Sequence, residues 1–249
     1  MHFGVILPNF GRDSSPARIR ATAETAEELG FHSVWATEHI VVGPEGVDPY
    51  GRVYDPLVTL GWIAGWTERV GLGTSIVLAP LHNPFRLAKE VATLHELSGG
   101  RVTLGIGIGW HRDEFDFMGV PFEGRGARAD EEIRLMRALW SGEPSFEGRL
   151  WSYRDATAEP HPSPPPEIWI GGSSDRAIRR ARELGDAWHP SRGSDAEHVR
   201  QVKERHPDLR VVPRTSADQV DAMLDAGADG AVVTFADEAA MRDFAGRHL

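Results

Sequence analysis

The chain has 249 residues, 41% of them hydrophobic and 26% charged, which suits a water-soluble fold with one sizeable core, and no apolar run approaches the ~18 residues of a membrane span. The absence of cysteine excludes disulfides, thiolate nucleophiles and thiolate metal sites, and a net charge of −10 argues against a broad nucleic-acid-binding face. Lysine occurs only at Lys89 and Lys203, which disfavours Schiff-base chemistry, and the opening MHFGVILPNF lacks the basic start of a secretion signal, so the expected compartment is the cytoplasm.

The first apolar segment, Phe3 to Leu7, stops at Pro8. An amphipathic helix follows from Ala17 to Leu29, with Ile19, Ala23 and Ala26 on one face and Gly30 at its stop. Ser33 to Ala36 reads as a short buried strand. Asp55-Pro56 and Asn83-Pro84 each join a capping side chain to a proline at the first helical position, predicting helices that run to about Trp66 and to just before Gly99-Gly100. Strands are predicted within 70–79 and over Val102 to Ile106. A charged helix over Ala127 to Trp140 leads to an irregular insertion, 141–166, that ends in a proline cluster. Glu167 to Ile170 is the next strand and 175–184 the next helix. Ala187-Trp188, Leu209 to Val212 and Ala231 to Thr234 read as the last three strands. Ser194-x-x-Glu197 and Ser216-x-x-Gln219 read as capping boxes, and 238–247 as the final helix. Strict alternation of eight strand–helix units without a composition break predicts a single (β/α)8 barrel domain over 1–249.

Chemistry in such barrels sits at the C-terminal ends of the strands. Strand 1 ends at Asn9, which either binds a ligand or caps a turn. Strand 2 runs into Glu38 and His39, an acid and an imidazole suited to proton transfer near neutral pH. Thr74 and Ser75 follow the third strand. Gly105, Gly107 and Gly109 alternate with isoleucines at the fourth, leaving room for a flat ligand or for tight packing, with Trp110 as a wall. Strand 5 ends in Gly171-Gly172-Ser173-Ser174 at the start of a helix, an anion seat of free N–H groups and hydroxyls, with Arg176 close enough to assist. The remaining histidines follow no metal-site spacing, so no metal is expected. No serine-hydrolase or nucleotide-triphosphatase motif is present. A barrel isomerase or hydrolase acting on a phosphorylated substrate fits the same residues.

The strand-end blocks FGVILPNF (3–10), ETAEELGFHSVWATEH (24–39), YDPLVTLGWIAGWTERVGLGTSIVLAPLHNP (54–84), LSGGRVTLGIGIGWHRDEFDFMGVPFEGR (97–125), RADEEIRLMRALW (128–140) and PPEIWIGGSS (165–174) together resemble the bacterial luciferase-like monooxygenase superfamily. The resemblance implies a (β/α)8 barrel, here with loop insertions and a shortened C-terminal part. It implies a redox enzyme using coenzyme F420 or, alternatively, FMN. The block GIGIGWHRDEFDFMGVPFEGR favours the F420-dependent branch, in which a hydride passes between the deazaflavin and a small organic substrate. The FMN alternative is an oxygenase using reduced flavin and O2, supplied by a separate reductase. The resemblance places His39 near the reacting ring with Glu38 beside it, a cis peptide at Ser75–Ile76 under the ring, and the cofactor phosphate at Gly171, Gly172 and Ser173. It also implies a homodimer, to which Trp62 and Trp66 can contribute. The stretch after His39 reads IVVGPEG, without the tryptophan found in the family's sugar-phosphate and alcohol dehydrogenases.

Overall fold

The computed structural model describes residues 1–190 and 194–249. Eight parallel strands form the barrel: β1 (His2–Ile6), β2 (Ser33–Ala36), β3 (Gly71–Thr74), β4 (Val102–Gly107), β5 (Glu167–Gly171), β6 (Ala187–His189), β7 (Arg214–Ser216) and β8 (Gly230–Thr234). From β1 to β6 each pairs with the next, β7 pairs with β8 and β8 with β1, and between β6 and β7 the link is a parallel bridge from Trp188 to Val211, on the segment entering β7. The helices that follow the strands are α1 (Pro16–Leu29), α2 (Pro56–Ala64), α3 (Pro84–Leu97), α4 (Arg125–Trp140), α5 (Asp175–Leu184), α6 (Ala196–Arg205), α7 (Val220–Asp225) and α8 (Glu238–His248). Among the described residues no helix is long and apolar enough to cross a membrane.

The local signals explain most boundaries. Asp55 and Asn83 accept from the first free N–H groups of α2 and α3, each followed by proline. Gly30 takes φ 84° at the end of α1, a conformation glycine adopts without penalty. The insertion 141–166 carries a two-residue hairpin, Phe146–Glu147 against Ser152–Tyr153.

Three expectations need correction. The seventh strand is Arg214–Ser216, not 209–212, because Pro213 cannot donate to the ladder and the pairing with β8 begins after it. Helix α6 is capped by Asp195, which accepts from His198 N at 2.9 Å, so Ser194 and Glu197 form no capping box. Ser216 makes no capping bond either; a 3-10 turn, Ala217–Gln219, precedes α7, and Gln219 accepts from the Thr215 hydroxyl instead.

Packing divides into two layers. Aliphatic side chains fill the space between strands and helices, as parallel strands buried on both faces require. Inside the barrel, Trp35 and Trp169 lie with ring centroids 4.7 Å apart, surrounded by Ile6, Ala187, Val212 and Val232. Gly4 and Gly73 make this possible, since a Cβ on either would fall within 2.4 Å of the Trp35 ring. This plug closes the bottom of the barrel, so the open volume lies at the C-terminal ends of the strands.

Candidate active site

A cavity of about 680 Å³ opens there, a size typical of sites for drug-sized ligands. Its floor is the segment after β3. The Ser75–Ile76 peptide is cis, as the resemblance implies. Ser75 is fully engaged: its N–H donates to Ala36 O at 2.7 Å, and its carbonyl accepts from the Arg214 guanidinium at 3.1 Å. Its hydroxyl lies 2.9 Å from His189 Nε2. The other nitrogen of His189 contacts Val212 O at 2.6 Å. A carbonyl only accepts, so the His189 proton sits on Nδ1 and Nε2 accepts from Ser75. Burial lowers the His189 pKa to about 4, which keeps it neutral and able to accept at pH 7.

Ile76 occupies the middle of the floor, and glycines give it room. A Cβ on Gly107 would come within 2.0 Å of Ile76 Cδ1, one on Gly171 within 2.7 Å, and one on Gly105 within 1.9 Å of Thr74 O. The alternating glycines of β4 therefore accommodate the 74–76 segment, and the space beside them is protein rather than ligand. Gly107 and Gly109 still line the cavity; Gly109 takes φ 75° against the Phe115 ring.

One wall is aromatic. His39 packs against Tyr50 at a tilt, with centroids 4.1 Å apart, and meets Trp110 edge-on at 5.9 Å. Glu114, completely buried, holds this corner. Its Oε2 accepts from His39 Nδ1 at 2.9 Å, and its Oε1 accepts from Ile40 N at 2.6 Å. The proton thus resides on Nδ1, and Nε2, across the ring, is the nitrogen available to the cavity. Nearby, His111 Nε2 accepts from Gly43 N at 2.9 Å, tying the loop after β2 to the loop after β4.

Glu38 lines the cavity but is spent on structure. It accepts from Leu78 N at 2.6 Å and from His82 Nε2 at 3.0 Å. Burial opposes a charge on His82, yet the hydrogen bond and charge of Glu38, helped by Asp55 and Glu90, raise its pKa. Glu38 therefore braces the segment after β3, and the partner of His39 is Glu114.

At the far end lies the segment read from the sequence as an anion seat. Gly171 and Gly172 line the cavity beside Ser174 and Ala177 at the start of α5, with Gly172 at φ 96° and Ser174 capping Ala177 N. The nearby arginine is Arg180, ion-paired with Asp130 and donating to Gly126 O at 3.0 Å. Arg176 is exposed and off the cavity. Ala177 and Arg180, three residues apart, share the helix face turned inward, and Arg176 does not. Ser173 is half-buried and does not line the cavity. Nor do Asn9 and Thr74. Both amide hydrogens of Asn9 go to Thr37 O and Tyr54 O, and its oxygen accepts from Thr37 N. Thr74 donates to Gly105 O at 2.8 Å. These two side chains have no donor left for a ligand.

A model of the luciferase-like monooxygenase family matches residues 1–243. The chain belongs to that family. This luciferase-like protein is 33% identical over 204 residues to an uncharacterized protein of Mycobacterium tuberculosis, covering 76% of this chain and 71% of that one. It is 37% identical over 179 residues to the F420-dependent glucose-6-phosphate dehydrogenase of Kineococcus radiotolerans, covering 70% of this chain and 52% of the dehydrogenase. The luciferase-like chain thus spans about half the length of that relative. Among solved structures, a monooxygenase from Streptomyces bottropensis superposes with a TM-score of 0.73 at 25% identity, over 99% of this chain and 78% of the other. Among the described residues there is no group of three or more His, Asp or Glu able to hold a metal ion.

Proposed function

We propose that this protein is a cytoplasmic oxidoreductase that binds coenzyme F420 and exchanges a hydride with a small organic substrate. The observation that carries this reading is the arrangement of one cavity between an anion seat and a carboxylate-held imidazole, with the Ile76 shelf between them. The kinship with an F420-dependent dehydrogenase supports the choice of cofactor. The residues present fit the group: Gly171, Gly172 and Ser174 line the cavity at the start of α5, Gly172 with a positive φ, and Arg180 lines it on the same helix. Gly171, Gly172, Ser174 and Ala177 would hold the phosphate, and Ile76 and Gly107 would lie against the ring. A bound deazaflavin supplies or takes up a hydride.

The protein's part is positional and acid–base. His39 Nε2 accepts the proton released as the substrate loses a hydride, or donates it in the reverse direction. Glu114 stabilises the imidazolium so formed and fixes its orientation. Tyr50 and Trp110 hold the substrate against His39, and the closed barrel below keeps water out of the floor. The outer face of α2, where Val58 and Trp62 are exposed, supports pairing of two copies.

Anaerobic titration of the protein with F420 and with FMN, followed by fluorescence, tests the reading. F420 binding at least tenfold tighter than FMN is the expected result. Preference for FMN would transfer the assignment to a flavin-dependent oxygenase fed by a reductase; the Streptomyces bottropensis structure is that of a monooxygenase. Binding of neither refutes both.

A further inference from the structure

Resting on the oxidoreductase reading, we infer that the substrate is an uncharged, largely apolar ring compound seated against Trp110 and Tyr50, and not a phosphorylated or carboxylated one. Two independent features of the cavity point there.

The first is the distribution of charge. Among the described residues only Arg180 and Arg214 bring full positive charge to the cavity. Arg180 is tied to Asp130 and Gly126 O at the anion seat. Arg214 donates to Ser75 O and to the Thr37 hydroxyl and lies over the Phe10 ring, so its charge is directed at the floor. The corner around His39 is built from Tyr50, Leu78, Ile108 and Trp110, and both of its carboxylates are consumed, Glu38 by Leu78 N and His82 and Glu114 by Ile40 N and His39. A phosphate or carboxylate placed in that corner would lose its hydration without gaining a dedicated cation from the described residues, a strongly unfavourable exchange.

The second feature is the rim. Ile40, Val41 and Val47 on the loop after β2, and Trp110, Phe117 and Met118 after β4, are all exposed large apolar side chains. The two loops carrying them are joined by the Glu114 and His111 bonds, and the same two loops supply Tyr50 and Trp110 to the cavity. Trp110 is 54% exposed and closes one side of the entrance. Apolar surface at the mouth and ring faces within it favour a flat hydrocarbon skeleton whose single polar group meets His39 Nε2.

The test uses the protein loaded with whichever of F420 or FMN it binds, with the cofactor affinity measured first on the same sample. Calorimetric titration then compares 2-acetylnaphthalene, a neutral ring ketone, with glucose 6-phosphate. Binding of the ketone, at least tenfold weakened in Trp110→Ala and held within threefold in Trp110→Phe, with no binding of the sugar phosphate, is the expected result. An exposed tryptophan contributes little to folding, and unchanged cofactor affinity in Trp110→Ala confirms an intact site. Binding of glucose 6-phosphate in place of the ketone overturns the inference. So does a ketone affinity indifferent to Trp110→Ala, or binding of neither probe by a cofactor-loaded protein; the oxidoreductase reading survives all three. Failure of both cofactors to bind removes that reading and the inference with it.

Discussion

Replacing Glu114 by glutamine probes the acid–base corner with almost no change of shape. In the native corner Oε1 faces Ile40 N at 2.6 Å and Oε2 faces His39 Nδ1 at 2.9 Å. A glutamine has one oxygen and one NH2 to divide between them. If its NH2 faced Ile40 N, two buried donors would meet and one would lose its partner, at a cost of about 1–3 kcal/mol. The amide oxygen therefore takes Ile40 N, and the NH2 points at His39 Nδ1. The imidazole then carries its proton on Nε2, the wrong side to accept one from the cavity. The stated penalty corresponds to a preference of roughly 5- to 150-fold for this switched tautomer. Ring 15N shifts of His39, assigned by comparison with His39→Asn, report it directly: wild type with Nδ1 protonated, Glu114→Gln with Nε2 protonated. Turnover of the F420-loaded enzyme should fall about 100-fold, within the range that general acid–base catalysis contributes. The double variant Glu114→Gln, His39→Asn should lose no more than His39→Asn alone, because the carboxylate acts only through the ring. An unchanged tautomer together with turnover within threefold of wild type would refute the assignment.

Further outcomes follow from buried groups elsewhere. Burial raises the Glu132 pKa to about 8 against the opposing charges of Arg128 and His82, and both its oxygens lack hydrogen-bond partners. The folded state therefore keeps a proton that the unfolded chain has released, and stability falls as pH rises from the ordinary 4.5 to about 8. Glu132→Gln should add up to about 4 kcal/mol at pH 8 and no more than about 1 kcal/mol at pH 5 in denaturant titrations; equal effects at both pH values would contradict this. His189 has the opposite dependence. Its pKa is lowered from 6.5 to about 4, so its contribution is complete above pH 6.5 and is lost as pH falls toward 4, at about 1.4 kcal/mol per unit; His189→Gln should flatten that acid limb. Among the glycines, Gly105→Ala drives a Cβ into the Thr74 backbone oxygen and should cost several kcal/mol of stability, whereas Gly107→Ala meets only the flexible end of Ile76. Gly107→Ala should fold, lose about 1–3 kcal/mol, and bind cofactor at least tenfold more weakly as Ile76 is pushed into the cavity; the reverse order of stabilities would count against the packing described.

The architecture was legible because its signals are local. Capping residues with proline mark α2 and α3, short β-branched runs mark most of the strands, and glycines with serines mark the turn that opens α5 beside the cavity. The site was legible only as far as sequence neighbours reach. His39 stands out because it follows β2 directly, but its carboxylate partner is 75 residues away and one of several acids in a charged stretch, and the acid next to it, Glu38, faces His82 instead. Choosing Arg180 over Arg176 requires the rotational phase of α5 relative to the barrel, which the nearest-to-the-start argument ignores. Arg214 was hidden by a misplaced strand: the apolar pair Val211-Val212 attracts the assignment, and the charged residue after Pro213 looks unlike a strand until its side chain is seen reaching across the barrel mouth to Thr37 and Ser75.

Ser75, at the end of β3, is bonded to the neighbouring β2 through Ala36 O and, across the barrel, to the adjacent β6 and β7 through His189 and Arg214. The barrel is therefore cross-braced through its centre as well as hooped around its circumference. This limits recombination between relatives. A chimera that takes residues 1–184 from this chain and the remainder from another keeps its hoop of backbone bonds with any compatible strand, but it keeps the brace only if the incoming segment supplies an imidazole and a guanidinium at positions 189 and 214. Loops on the rim can be exchanged freely by comparison, because nothing in the brace passes through them.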